Sequence, residues 1–117
     1  MASALEIIEI AEVGPLLAQG EAPFTEAERA YAHSKSDPER RLAARLAAKK
    51  AACRLLGEGF GPADIEVLRA RGGPPRLRFS QRAEERLRAL GARRALVSLT
   101  HGETHAAASV VLLSGAS

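Results

Sequence analysis

Pro38-Glu39-Arg40-Arg41-Leu42-Ala43-Ala44-Arg45-Leu46-Ala47-Ala48-Lys49-Lys50-Ala51-Ala52-Cys53-Arg54-Leu55-Leu56-Gly57 is the stretch from which the rest of the chain is read. Alanine, leucine and long unbranched cations dominate it, and such residues lose little freedom in a helix. Asp37 stands in front as a capping residue, Pro38 suits the first turn, and Glu39 favours the positive end of the helix dipole. Gly57 supplies the stop. The spacing therefore predicts one long helix from Pro38 to Leu56. Leu42, Leu46, Cys53 and Leu56 fall on one stripe of it, at intervals of three, four and seven. Arg45 and Lys49 fall on the same stripe, and Ala43, Ala47, Lys50 and Arg54 form the neighbouring one. Cations thus interrupt or flank the apolar face, where an isolated charge is costly. Three partners are open at this point: a bound polyphosphate, carboxylates of another subunit, or solvent reached by side chains snorkelling along the edge of the core.

The whole chain of 117 residues carries a net charge of only +3, yet Arg40 to Arg54 holds six cations and no acid. Such a block suits phosphate, an acidic partner or a solvated face. Apolar residues make up 46% and aromatics 3%, with no Trp, so the core must be built from Leu, Val, Ile and Ala. The length is that of one domain, residues 1–117, and a chain of this size gains stability by oligomerising. A single Cys excludes an internal disulfide, and with three His it gives no zinc spacing. Cys53, on the apolar stripe, reads as a packed, unreactive thiol. No apolar run approaches a membrane span. Met1-Ala2-Ser3-Ala4 lacks a basic region followed by an apolar one, so the expectation is a cytoplasmic protein. Phe24, Phe60, Phe79 and Tyr31 are the only aromatics and no recognition motif is present, so no nucleic-acid partner is expected.

Outward from the helix, Leu5-Glu6-Ile7-Ile8-Glu9-Ile10 reads as a strand with both faces partly covered. Pro15 and Gly20 mark a loop. Thr25 and Glu28 form a capping box for a helix to about His33. After the glycines at 57, 59 and 61, Asp64–Arg69 and the segment around Leu77 and Phe79 read as strands about the turn Gly72-Gly73-Pro74-Pro75. Ser80 caps a helix to Leu90, and Gly91 stops it. Ala95–Thr100 and Ala107–Leu113 read as a hairpin with His101 and His105 in a polar loop. Strands and helices mix without strict alternation, which makes the class α+β.

Three segments, in order, resemble the holo-acyl-carrier-protein synthases, which are 4′-phosphopantetheinyl transferases. Glu6-Ile7-Ile8-Glu9-Ile10 is similar to that family's opening Asp-Ile-x-Glu-Ile strand. Arg45-Leu46-Ala47-Ala48-Lys49-Lys50-Ala51, continuing to Arg54 and Gly57, is similar to its Arg-Phe-Ala-Ala-Lys-Glu-Ala helix, which continues to a Lys and a Gly. Ser98-Leu99-Thr100-His101, followed by His105-Ala106-Ala107-Ala108, resembles its Ser-Ile-Ser/Thr-His strand and the Tyr-Ala-x-Ala strand after it. Thr25 to Glu28, Ile65-Glu66-Val67 and Gly73-Pro74-Pro75 also fit, so nearly the whole chain is covered.

The resemblance implies a small antiparallel sheet packed on a long helix, assembled as a homotrimer with sites at the subunit interfaces. It implies coenzyme A as substrate, a magnesium ion bridging its pyrophosphate, and transfer of the 4′-phosphopantetheine arm to a serine of an acyl carrier protein of fatty acid or polyketide synthesis. It places Glu6, Lys49 and Lys50 at the reaction centre. It places Arg45, Lys49, Arg54, Gly73, Pro75, Ser98, Thr100 and His101 against coenzyme A.

Two positions depart from the family's pattern. The first-strand Asp, a metal ligand, is here Glu6, whose carboxylate reaches one methylene further, whereas Mg²⁺ demands tight octahedral geometry. The second ligand, the Glu of Lys-Glu-Ala, is here Lys50, which has donors only and binds no metal. Its charge would also repel a divalent ion about 4 Å away by roughly 8 kcal/mol at an effective dielectric of 20. Four consequences stay open. Lys50 neutralises the pyrophosphate in place of the ion; or Glu9 or another acid joins Glu6 in a shifted metal site; or Lys50 pairs with Glu6 and fills the vacated site; or the chain is a catalytically inactive homologue that binds a carrier protein or coenzyme A.

Overall fold

In the computed structural model, which describes residues 2–18, 23–69 and 72–114, the chain runs through β1 (Ala2–Glu9), α1 (Val13–Ala18), α2 (Glu26–His33), α3 (Pro38–Leu56), β2 (Ile65–Arg69), β3 (Pro75–Phe79), α4 (Gln81–Ala89), β4 (Ala92–His101) and β5 (His105–Ser114). Short 3-10 turns at Ile10–Glu12 and Pro62–Asp64 precede α1 and β2. The class is α+β, as expected. A three-stranded antiparallel sheet has the order β1-β5-β4, and β2 and β3 form a separate antiparallel pair.

Helix α3 occupies the predicted span and packs against β5, β1, β4 and α2. Its burial is wider than one stripe, because every residue from Leu42 to Lys49 is buried, together with Ala51, Ala52 and Leu56. The alanines explain this. With a single methyl at 43, 44, 47, 48, 51 and 52, neighbouring elements approach the helix from several sides, as in a helix at the centre of a domain. One apolar cluster forms around Leu42, Leu46, Ile8 and Phe24, and another around Leu56, Ile65, Ala83 and Val110.

Strand β5 alternates strictly. Ala106, Ala108, Val110 and Leu112 are buried. On the sheet's other face the register aligns Leu5 with Ser109 and Ser98, Ile7 with Ala107 and Thr100, and Ser3 with Val111 and Leu96. That face is open: Leu5, Ile7 and Leu96 are 58%, 62% and 45% exposed.

Several local expectations need correction. Pro15 lies inside α1, not in a loop, because proline is well tolerated in a first helical turn; Gly20 falls outside the described residues. Asp37 precedes α3, but its carboxylate makes no capping bond and instead accepts from Arg41 Nε at 3.1 Å. Strands β4 and β5 extend further than predicted, so His101 and His105 are strand ends flanking a short turn. There the Gly102 amide donates to the His105 carbonyl at 2.8 Å.

Candidate functional site: a cationic cleft and a rewired carboxylate

Arg45 is 2% exposed, and its guanidinium lies over the Tyr31 ring, 4.2 Å from the centroid. Its Nη1 donates to the Arg41 carbonyl at 3.3 Å, while its buried Nε has no hydrogen-bond partner among the described residues. Burial holds the guanidinium below its ordinary pKa. A cleft of about 260 Å³ opens beside it, lined by Arg41, Ala44, Arg45, Arg69, Leu99, Thr100 and His101. Burial pushes the Tyr31 phenol up, but Arg45, Arg41, Arg69 and Lys35 outweigh that and leave it below its ordinary value, a sign of surplus positive charge here. Asp37, bound to Arg41, offsets part of it. Such a cleft is suited to an anion, with a buried donor still to be satisfied.

Arg45, Thr100 and His101 all border this cleft, His101 from the inward row of β4 and Thr100 from the open-face row. The structure adds Arg69 and Tyr31, which nothing in the local sequence marked. Pro75 faces Arg69 across the β2–β3 register, with Gly73 two residues before it. Ser98 lies on that same open-face row, two residues further from the end of β4, and does not line the cleft.

Lys49 is the clearest departure from expectation. Its side chain is fully buried, and Nζ donates to the Pro23 carbonyl at 2.7 Å and pairs with Glu28 Oε1 at 2.5 Å. Glu28 is equally buried: Oε1 also accepts from the Thr25 amide at 2.8 Å, and Oε2 from the Val67 amide at 2.7 Å. The capping box read from the sequence is present, since the Glu28 amide donates to Thr25 Oγ1 at 3.2 Å. Its glutamate also ties α2 to α3 and to β2. The ammonium is committed to this network and does not reach the cleft as the resemblance implied.

Glu6 lies on the inward-facing row of β1 and binds Arg54, with Oε2 accepting from Nη1 at 2.5 Å; the same nitrogen donates to the Leu5 carbonyl at 3.1 Å. Lys50 does not take Glu6. It is exposed, one helical turn before Arg54, and has no ion pair among the described residues. Glu9 is three residues from Glu6, so the two side chains lie on opposite faces of β1 and do not converge on one ion. No group of three His, Cys, Asp or Glu able to hold a metal occurs among the described residues. With Glu6 engaged by a guanidinium and an ammonium at 50, these residues do not fit the Mg²⁺ that the resemblance implies.

Cys53 is half-buried and burial pushes its thiol up, as expected for an unreactive packed sulfur. No helix is long and apolar enough to cross a membrane.

Comparison with known proteins defines the class. The fold matches the crystal structure of a holo-(acyl-carrier-protein) synthase from Bacillus anthracis in complex with CoA (3′,5′-ADP), with TM-score 0.74 and 29% identity over 97% of this chain and 96% of that one. A holo-[acyl-carrier-protein] synthase of Anaeromyxobacter dehalogenans is 38% identical over 118 residues, 92% of this chain and 91% of the relative. One from Nitratidesulfovibrio vulgaris is 52% identical over 75 residues, and that match spans 61% of this chain and 60% of the relative's length. No protein-family model matches. The chain belongs to the holo-[acyl-carrier-protein] synthase family.

Proposed function

We propose that this chain transfers the 4′-phosphopantetheine arm of coenzyme A to a serine hydroxyl of an acyl carrier protein. The observation that carries the reading is the cationic cleft with its unsatisfied Arg45 Nε, in a chain of this family. At about 260 Å³ the cleft suits a phosphate group and is too small for coenzyme A as a whole. In the reaction the serine oxygen bonds to the phosphorus that carries the pantetheine arm. The bond from that phosphorus to the bridging oxygen breaks, adenosine 3′,5′-bisphosphate leaves with the electron pair, and the serine proton passes to solvent. Positioning and charge stabilisation dominate such chemistry, and Arg45, Arg41, Arg69, Lys50 and Arg54 are the groups available for both.

A homotrimer is part of this reading. Arg45 and Arg54 are nine residues apart on α3 and so project about 180° apart and about 13 Å along the axis. The cleft and the Glu6–Arg54 pair therefore lie on opposite sides of α3, and a neighbouring copy would bring the one kind of group beside the other. The open sheet face with Leu5, Ile7 and Leu96 is a surface such a copy would cover. The acceptor would be a carrier protein of fatty acid or polyketide synthesis, in the cytoplasm. Lys50 is the one feature favouring the second reading, an inactive homologue that binds a carrier protein or coenzyme A; the cleft and the family membership favour the transferase.

The test is to incubate an apo acyl carrier protein with coenzyme A and this protein and weigh the carrier intact. A phosphopantetheine mass gain, absent when the carrier's acceptor serine is changed to alanine, is expected. Coenzyme A binding without any gain on several carriers would favour the second reading.

A further inference from the structure

We infer that Lys50 stands in the electrostatic place of a divalent cation, so that this chain binds the pyrophosphate of coenzyme A without a metal. The inference rests on the proposed function and names how that site manages charge. Three observations lead to it. Glu6, the one acid available on the inner row of β1, is already neutralised by Arg54 at 2.5 Å. Glu9 points to the opposite face of the strand. Lys50 is exposed one turn from Arg54 and is paired with no acid among the described residues.

Charge balance gives the result its sense. The pattern that this chain resembles places an Asp, a Glu and a Lys at positions 6, 50 and 54, one net negative charge that a divalent ion converts to one net positive charge. Glu6, Lys50 and Arg54 carry one net positive charge with no ion present. The replacement at position 50 supplies the two units that the ion would have supplied. Lys50 also offers three donors and no acceptor, the chemistry needed by a pyrophosphate and unusable by a metal. Its position at the i, i+4 spacing from Arg54 lets both cations face one anionic group. The same ammonium repels a divalent ion arriving at that place.

The experiment is calorimetric titration of coenzyme A into the full chain in Mg²⁺ and in EDTA, for the native protein, Lys50→Ala and Lys50→Glu. Position 50 is exposed, so all three should unfold at the same temperature, which circular dichroism checks. The native protein should bind with affinities that differ by less than about twofold between the two buffers. Lys50→Ala should lose about tenfold in EDTA. Lys50→Glu should lose more than that in EDTA and recover in Mg²⁺, because it restores an oxygen ligand. Native binding that requires Mg²⁺ overturns the inference and leaves the proposed function standing, as does a Lys50→Glu variant that binds equally well in both buffers. No binding of coenzyme A by the native protein in either buffer overturns the proposed function and this inference with it.

Discussion

Lys49 is sealed in the interior, bonded to Glu28 and the Pro23 carbonyl, whereas Lys50, the next residue, stands exposed with no acid beside it among the described residues. Their side chains differ by about 100° around the helix axis, and that rotation separates a structural role from a chemical one. Lys49 faces α2, where a capping glutamate of complementary charge was already present. Lys50 faces outward one helical turn before Arg54, which holds Glu6. Arg45, one turn before Lys49, is intermediate: it is buried like Lys49, but its Nε is left open and a cleft adjoins it. A run of cations that looks uniform in the sequence therefore divides into an anchor, an anion donor and a free charge. Burying the anchor demands a dedicated partner, while the free charge remains available to a ligand.

The sharpest way to break this comparison is to remove one member of the buried pair. Lys49→Met should leave Glu28 charged and uncompensated inside the protein and cost about 3–5 kcal/mol of stability, read by denaturant unfolding. Lys50→Met should leave stability almost unchanged, since a substitution at an exposed helical position of this kind shifts it by about 0.5 kcal/mol or less. Equal losses for the two would contradict the division. Next in size, Arg45→Gln should reduce affinity for adenosine 3′,5′-bisphosphate about tenfold to a hundredfold, the range expected for losing a charge-assisted bond to phosphate. Titration calorimetry on the folded variant checks this.

Replacing both Leu5 and Ile7 by aspartate should lower the oligomer mass seen by light scattering without unfolding the chain, because both side chains are already solvent-facing in one copy. An unchanged mass would remove the sheet face from the assembly. The smallest effect concerns pH. The hydrogen bond from Arg41 holds the Asp37 carboxyl below its usual range. A depressed carboxylate pKa means that the stabilisation is present above the unfolded value and is lost as pH falls through the folded one. Unfolding midpoints of the native protein and Asp37→Asn should thus differ slightly at neutral pH and converge in acid. If they diverge further in acid, the sign is wrong.

Most of the fold was legible because it rests on local signals. The span of α3 follows from alanine-rich composition between Pro38 and Gly57. The Thr25–Glu28 box fixed the start of α2, and the apolar run Ala107–Leu113 marked β5. The helix at Val13–Ala18 was hidden because proline reads as a breaker wherever the first turn is not recognised. The site was less legible. Periodicity correctly placed Arg45 and Lys49 on a packed face, but nothing in it said that Glu28 would claim Lys49, since that pairing depends on how α2 docks. Arg69 and Tyr31 join the cleft through the same tertiary arrangement. The pairing of Glu6 with Arg54, in preference to Lys50, is a matter of side-chain direction across two elements, which spacing alone does not resolve.

The central claim is that a cation-rich surface supports phosphopantetheinyl transfer even though the implied metal ligands are altered. It is tested most directly by the initial rate of mass gain on an apo acyl carrier protein, measured with coenzyme A in Mg²⁺ and again in EDTA. The account predicts modification in both, at comparable rates. Modification in Mg²⁺ alone would contradict the role given to Lys50, and no modification in either buffer, with carriers that a known synthase modifies, would contradict the assignment of activity itself.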